Sequence, residues 1–407
     1  MDLDLLCLYH IIQKHSETYK SFETCMKSKI GIITLHQITN YGGILQAYAL
    51  SHTIASMGYD VEVIEKSMYL KPLSFIEKCI LYPWRFFLKK CMKRKIAIRK
   101  EENQNSKVSL LYESAEYTLP FVKKHIPHRY IQSFNEIHEG EYHTFVVGSD
   151  QIWRPMYVRE VFLDIQEVFL NFTKNWDVRR ISYAASFGSE EWEYTQEQTK
   201  HCIELISHFN AISCRETKGA DFCKEHLNFA NSVTVIDPTM LLEQEDYITL
   251  VRGYLRKNTG DLMCYVLDEN QQNNDIVNYI AKKMSMKPFS VKAKEPYFAN
   301  SPIETRLQPP VEEWLKGFED AKFIITDSYH ACVFSIIFRK PFAVIVNPVR
   351  GVARYKTLLS YFNLEYRMIS EDNKKQIDDI LTTPLHVDEL KMKNLQVEAI
   401  NYLKNNL

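Results

Sequence analysis

Short apolar runs rich in branched residues recur along the chain, each ending in a polar cluster and most followed by a helical period. Lys29–Leu35, Val61–Ile64, Thr144–Val147, Ile181–Ala185, Asn210–Ser213 and Val233–Ile236 have the length expected of buried strands. Leu262–Leu267, Phe323–Thr326 and Phe342–Val346 share that pattern. Between and after them, Gly43–Met57, a stretch near 195–208, 272–284, 311–319, Ala331–Phe338, 373–381 and 387–405 read as helices. Gly58 stops the first helix, Pro309-Pro310 opens the one at 311, and Arg339-Lys340-Pro341 ends the one at 331. Repetition of strand, polar turn, helix and strand predicts the α/β class with parallel sheets.

The pattern divides the chain. Residues 29–242 form a first α/β half and 243–385 a second, with a closing helix at 386–407 and no long linker, so two Rossmann-like domains are expected to face one another across a cleft. Residues 1–28 read as a loose N-terminal extension, or as an over-long start whose true beginning is Met26; they lack the basic start and long apolar core of a signal peptide. An insert at 66–107 breaks the rhythm, with Pro72 and Pro83 expected to interrupt it. Within it, 84–100 carries eight Lys or Arg and no acid, interleaved with Trp84, Phe86, Phe87, Leu88, Ile96 and Ile98. That stretch is either a basic amphipathic surface for the inner membrane face or a lipid diphosphate, or a solvated helix packed by its apolar stripe.

Composition narrows the class. The 407 residues are 45% hydrophobic and 25% charged with a formal net charge of −1, so no basic excess points to nucleic acid. Nine scattered cysteines without a CxxC suit reduced thiols, and no apolar run approaches the length of a membrane span, so a cytoplasmic protein is expected.

Parallel sheets place ligands at the carboxyl ends of their strands, and here those ends carry chemistry. Asp327, Ser328, Tyr329 and His330 follow one strand; Asn347, Arg350 and Arg354 follow the next. A hydroxyl, an imidazole and two guanidiniums suit a small, multiply charged anion, and the helix start behind Ser328 adds unpaired N–H groups. Asp327 would cap that helix or orient His330; Arg354 is a further ligand for such an anion or an exposed helix arginine. In the first half, the loop His36–Gly43, with Asn40, Tyr41 and Gly42, is a substrate loop or a tight turn eased by two glycines; it has no GxGxxG. Gly148-Ser149-Asp150-Gln151-Ile152-Trp153 ends another strand. That loop carries both an acid, Asp150, and an aromatic, Trp153. Arg215 ends a further strand, before Asp237-Pro238 closes the half. No metal constellation stands out, since the Asp2-Leu3-Asp4 pattern lies in the extension.

Taken in order, these strand-end motifs resemble the polysaccharide pyruvyl transferase family. The matching pieces are KIGIITLHQITNYGGILQAYAL (29–50), FVVGSDQIW (145–153), ISYAASFG (181–188), ISCRE (212–216), VIDPTMLL (235–242), ITDSYHACVFSIIFRKPF (325–342) and RGVARYKTLL (350–359). The resemblance implies two Rossmann-like domains of glycosyltransferase-B-like architecture. It also implies transfer of a pyruvyl group from phosphoenolpyruvate, as co-substrate, to two hydroxyls of a sugar, giving a cyclic ketal without a further cofactor. By that resemblance His330, Arg215 and Arg350 hold the donor's carboxylate and phosphate, with Ser328 and Arg354 beside them. His330 and Asp150 are the catalytic candidates, Asp150 as a base, as an anchor for sugar hydroxyls or as a turn residue. Asn40, Tyr41, Gly42, Asp150 and Trp153 are the acceptor side, with Trp153 stacked on a sugar or packed under its loop. One departure is Ala331, where the family usually has glycine. The resemblance also implies an acceptor, lipid-linked or not, in a bacterial-type surface polysaccharide or its precursor. A nucleotide-sugar-dependent glycosyltransferase of the same two-domain class, or a non-catalytic sugar-binding relative, is the alternative.

Overall fold

The computed structural model describes residues 28–93, 97–162, 164–256, 258–346, 351–369 and 373–407. Asn347, Arg350, Ile96 and nearly all of the N-terminal extension lie outside the described residues.

The first parallel sheet is built around β1 (Lys29–Ile33), buried from Ile30 onward. Beside it run β2 (Asp60–Lys66), β3 (His128–Ile131), β4 (Thr144–Val147) and β5 (Arg179–Ser182), in the order β3-β2-β1-β4-β5. Ile30 pairs with both Val61 and Thr144, and Ile33 with both Ile64 and Val147. Two short strands, β6 (Ser213–Cys214) and β7 (Val233–Thr234), continue beyond β5 through single bridges from Ile181 to Ala211 and from Ala185 to Cys214. The second sheet contains β8 (Leu262–Tyr265), β9 (Pro288–Phe289), β10 (Phe323–Thr326), β11 (Phe342–Ile345) and β12 (Met368–Ile369), in the order β12-β11-β10-β8-β9, again all parallel. β4, β10 and β11 are buried along their whole length, which is why they read as continuous apolar runs and not as alternating ones. The expected pair of Rossmann-like domains is therefore present.

Each sheet reverses its strand order once, between β1 and β4 and between β8 and β10. Loops leaving the two strands at such a point diverge and open a crevice. The two crevices face each other.

Helices tie the domains together. α1 (Tyr41–Ser56) follows β1; α2 (Phe75–Lys90) and α3 (Lys100–Ser114) form the insert; α4 (Val311–Asp320) precedes β10 and α5 (Tyr329–Ile337) follows it. α6 (Ala353–Ser360) and α7 (Glu389–Asn406) complete the part that matters here. One continuous core joins Ile44 and Tyr48 of α1 to Trp314 of α4 and Phe334 of α5. α7 returns to the first domain: the Tyr402 hydroxyl donates to the Ser182 carbonyl at 2.8 Å, and the Gln396 amide to that of Met240 at 3.0 Å.

Two local expectations are corrected. Pro83 lies inside α2 and does not interrupt it, because its ring is on the exposed side, where water can satisfy the carbonyl that loses its partner. The strand expected over 181–185 stops at Ser182, since Ala184 has a left-handed φ of 47° that no extended strand accommodates.

Candidate functional site

Loops from both reversal points line one cavity of about 330 Å³ between the domains. Thr39 and Asn40 reach it after β1, Asp150 and Gln151 after β4, Leu267 after β8, and Ser328 with His330 after β10.

The wall from the second domain is set by the start of α5. Ser328 is its N-cap, with a hydroxyl accepting weakly from the Ala331 N–H at 3.5 Å. Asp327, expected to cap the helix or orient His330, instead accepts from the backbone N–H groups of Leu267 and Asp268 at 2.7 and 2.8 Å. That clip fastens the β10 loop to the β8 loop across the reversal point. The Tyr355 hydroxyl donates to the Asp327 carbonyl at 2.7 Å and so fixes α6, which brings Arg354 to the cavity. Arg354 is 5% exposed, with its guanidinium 5.2 Å from the Tyr329 ring centre. From the first domain, Arg215 approaches the same ring at 4.5 Å.

Behind this wall runs a buried chain of charge. Arg215 donates to Asp150 at 3.2 Å and to Asp237 at 2.9 Å, and Asp237 Oδ2 stands 3.5 Å from His330 Nε2. Asp237 is held in turn by the Thr239 N–H and hydroxyl. Burial pushes the Asp237 carboxyl up, but His330, Arg215 and Thr239 outweigh it and hold it well below the usual carboxylate range. Asp150 follows the same logic: burial raises it, and Arg215, His330 and Arg354 bring it below the ordinary value. Burial, then the nearby Arg215 charge, pulls the Arg354 guanidinium down. Asp150 sits at φ 61°, a left-handed position that a short polar residue tolerates, which aims its carboxylate into the cleft after the turn at Gly148.

The structure sorts the residues expected from sequence. Asn40, Asp150, Ser328, His330 and Arg354 line the cavity. Arg350 lies outside the described residues. Trp153 does not face it: the indole is fully buried, stacked on Phe169 at 5.0 Å, and its N–H donates to the Val168 carbonyl. A ring packed on both sides offers no face to a sugar. Tyr41 is likewise buried, stacked on Trp314 at 5.2 Å with its hydroxyl donating to the Pro309 carbonyl, so it joins the domains and does not touch an acceptor. Gly42 lies against the His330 ring. Arg215 is a strut beneath the cavity, its two terminal nitrogens occupied by Asp150 and Asp237, and is not on the lining.

Sequence reasoning gave Asp237 no role, although its position after a strand was the same signal that singled out Asp150. Glu216 was missed too: its Oε1 accepts from the Ser186 hydroxyl and from the Phe187 and Gly188 N–H groups, fastening the loop after β5. Among the described residues, no group of three or more His, Cys, Asp or Glu side chains is placed to hold a metal ion.

Fold and site together define a two-domain Rossmann-like enzyme with its reactive groups in the cleft between domains. The sequence profile of polysaccharide pyruvyl transferases matches residues 40–348, most of the chain, and the protein belongs to that transferase family. Among curated proteins none matches. Several solved structures are similar in fold. A functionally uncharacterised protein from Klebsiella pneumoniae is 12% identical, with 88% of this chain and 98% of that one covered and a TM-score of 0.41. The UDP-GlcNAc 2-epimerase from Methanocaldococcus jannaschii is 10% identical over 92% of this chain and 99% of that one, TM-score 0.45. The corresponding enzyme from Neisseria meningitidis, bound to UDP-GlcNAc, is 7% identical over 93% and 100%, TM-score 0.48. Nothing about substrate passes from these likenesses to this chain.

Proposed function

We propose that the protein transfers a pyruvyl group from phosphoenolpyruvate to two hydroxyls of one sugar in a bacterial-type surface polysaccharide or its precursor, forming a cyclic pyruvate ketal. The observation that carries this reading is the opposition of Arg354, Ser328 and His330 on one wall of the cleft to Asp150 on the other. Phosphoenolpyruvate presents a carboxylate and a phosphate with about three negative charges, and a planar guanidinium pairs with either group through two oxygens. The start of α5 adds backbone N–H groups suited to phosphate. Arg350, a donor ligand by family resemblance, is the further cation this anion calls for.

Ketal formation begins with a proton added at the methylene carbon, which leaves the neighbouring carbon cation-like. His330 is the group to give that proton, because Asp150 is held ionised and has none to give, and the Asp237 carboxylate stands 3.5 Å behind the imidazole. Asp150 accepts from a sugar hydroxyl as its oxygen attacks. Phosphate then leaves, a second cation-like centre forms, and the second hydroxyl closes the ring with loss of its proton. The products are the ketal and inorganic phosphate.

The test is thermal stabilisation by phosphoenolpyruvate and by a panel of nucleotide-sugars, on wild type and His330→Ala. A ligand at 100 times its Kd adds about 2.7 kcal/mol, enough for a clear rise in Tm. A rise with phosphoenolpyruvate, reduced in the variant, is expected. A rise with one nucleotide-sugar and none with phosphoenolpyruvate overturns the reading in favour of glycosyl transfer.

A further inference from the structure

The insert helix α2 is amphipathic, yet it presents its apolar side to solvent. Ser74 and Glu77 close its N-terminus with reciprocal hydrogen bonds, so the helix is well begun, but none of its residues is buried. Its polar side faces inward. Arg85 grips Glu101 of α3 through two nitrogens at 2.8 Å each, the Tyr82 hydroxyl donates to Glu102 at 3.0 Å, and Lys78 pairs with Glu102 at 3.0 Å. Ile76, Ile80, Trp84 and Phe87, separated by four, four and three residues, form one stripe on the opposite side. Ile76 is 70% exposed and Trp84 56%, and Phe75 and Phe86 flank the stripe, also exposed. An apolar surface this continuous marks an interaction site.

Charge selects the partner. Lys89, Lys90 and Lys93 are exposed at the end of α2, and the sequence from 84 to 100 has eight cations and no acid. The nearby carboxylates are engaged inward: Glu101 and Glu102 with α2, and Glu77 in the cap. Aromatic and aliphatic side chains between lysines, on a helix lying flat against its support, are the features of a helix that seats in the headgroup layer of an anionic bilayer. No helix among the described residues is long and apolar enough to cross a membrane. The contact is therefore of the surface kind.

We propose that α2 docks this enzyme on an anionic membrane surface, with the Ile76–Phe87 stripe inserted and Lys89, Lys90 and Lys93 on lipid headgroups. The geometry adds a consequence for the cleft. α3 runs from the α2 contact at Glu101 to Ser114, which lines a second cavity of about 440 Å³ adjoining the first through Thr39, Tyr265 and Gln308. A helix of that length spans roughly 22 Å. Docking thus holds the cleft one short helix from the lipid surface, where a lipid-linked acceptor is displayed. The docking itself goes beyond the pyruvyl reading and is tested without it.

The experiment is flotation of the full-length protein with vesicles of phosphatidylcholine alone and of phosphatidylcholine mixed with phosphatidylglycerol. Wild type is expected to float with the mixed vesicles only and to be released by high salt. Trp84→Glu combined with Phe87→Glu is expected to abolish flotation at unchanged Tm, since both positions are exposed. Lys89→Gln and Lys90→Gln are expected to weaken it roughly fivefold each. Failure of the wild type to float with mixed vesicles overturns the proposal, as does equal flotation of all the variants. A dimer in solution that the Glu pair dissociates, with no vesicle binding, also overturns it and assigns the stripe to a second copy of the chain.

Discussion

Gly42, in the first turn of α1, lies directly against the imidazole of His330, in the first turn of α5: a Cβ built at Gly42 would stand 2.0 Å from Nδ1 and 2.2 Å from Cγ. Two helix starts from opposite domains meet at this contact. The glycine is required for space, since its φ is not left-handed. A methyl group there has no room until the ring moves.

Gly42→Ala is therefore expected to keep the fold and lose turnover. Alanine favours a helix over glycine by about 1 kcal/mol, so α1 itself gains. Displacing His330 by an ångström is expected to lower kcat about 100-fold. Gly43→Ala is the control, because its added Cβ meets nothing nearer than the Asn40 amide at 3.4 Å. Equal kcat for the two variants would remove the link between Gly42 and the imidazole.

Arg215 is the cation for two buried carboxylates, so its loss is costly. Arg215→Met leaves Asp150 and Asp237 without their guanidinium and is expected to cost about 3–5 kcal/mol of stability by urea denaturation. Adding Asp237→Asn should recover part of that loss, as one of the stranded charges disappears. A cost below about 1 kcal/mol for the single variant contradicts the strut assignment.

The same network sets an acid limb. Asp150 and Asp237 have folded values depressed below that of an unfolded aspartate, about 3.9. A depressed group contributes stability that is full above the unfolded value and is lost as pH falls from there through the folded value. The urea midpoint is expected to fall from about pH 5 downward, and Asp237→Asn to flatten that fall. An identical pH slope in the variant would show that Asp237 does not gain from folding as an anion.

Trp153 separates packing from binding. Trp153→Ala is expected to cost about 3–5 kcal/mol through the cavity it leaves. Trp153→Phe keeps most of the contacts and loses only the hydrogen bond to Val168, about 1 kcal/mol. Neither change should alter acceptor KM in the folded enzyme. A tenfold rise in KM for the Phe variant, measured well below its Tm, would return the indole to the acceptor site.

The sequence by itself determined the central strands, their parallel arrangement and the loops that carry chemistry, because these depend on short-range patterns. It did not mark the edge strands β3, β9 and β12, too short or too exposed to write an apolar run, and it placed β6 at 210–213 instead of Ser213–Cys214. β4 and β10 fall on the expected residues, since a strand buried on both faces is written as an unbroken apolar run. His330, Asp150 and Arg354 were legible for a related reason: polar residues just after such runs stand at the carboxyl edge of the sheet. Which of those residues would face the cavity was not legible. Trp153 and Asp150 share one loop, yet one turns into the core and the other into the cleft, and a single left-handed φ at Asp150 divides them. Arg215, Asp237 and His330 come from three separate segments, and whether a guanidinium binds a ligand or braces two carboxylates is decided only when those segments meet. Gly42 shows the limit most plainly. The sequence records that a side chain is missing, and the opposing domain supplies the reason.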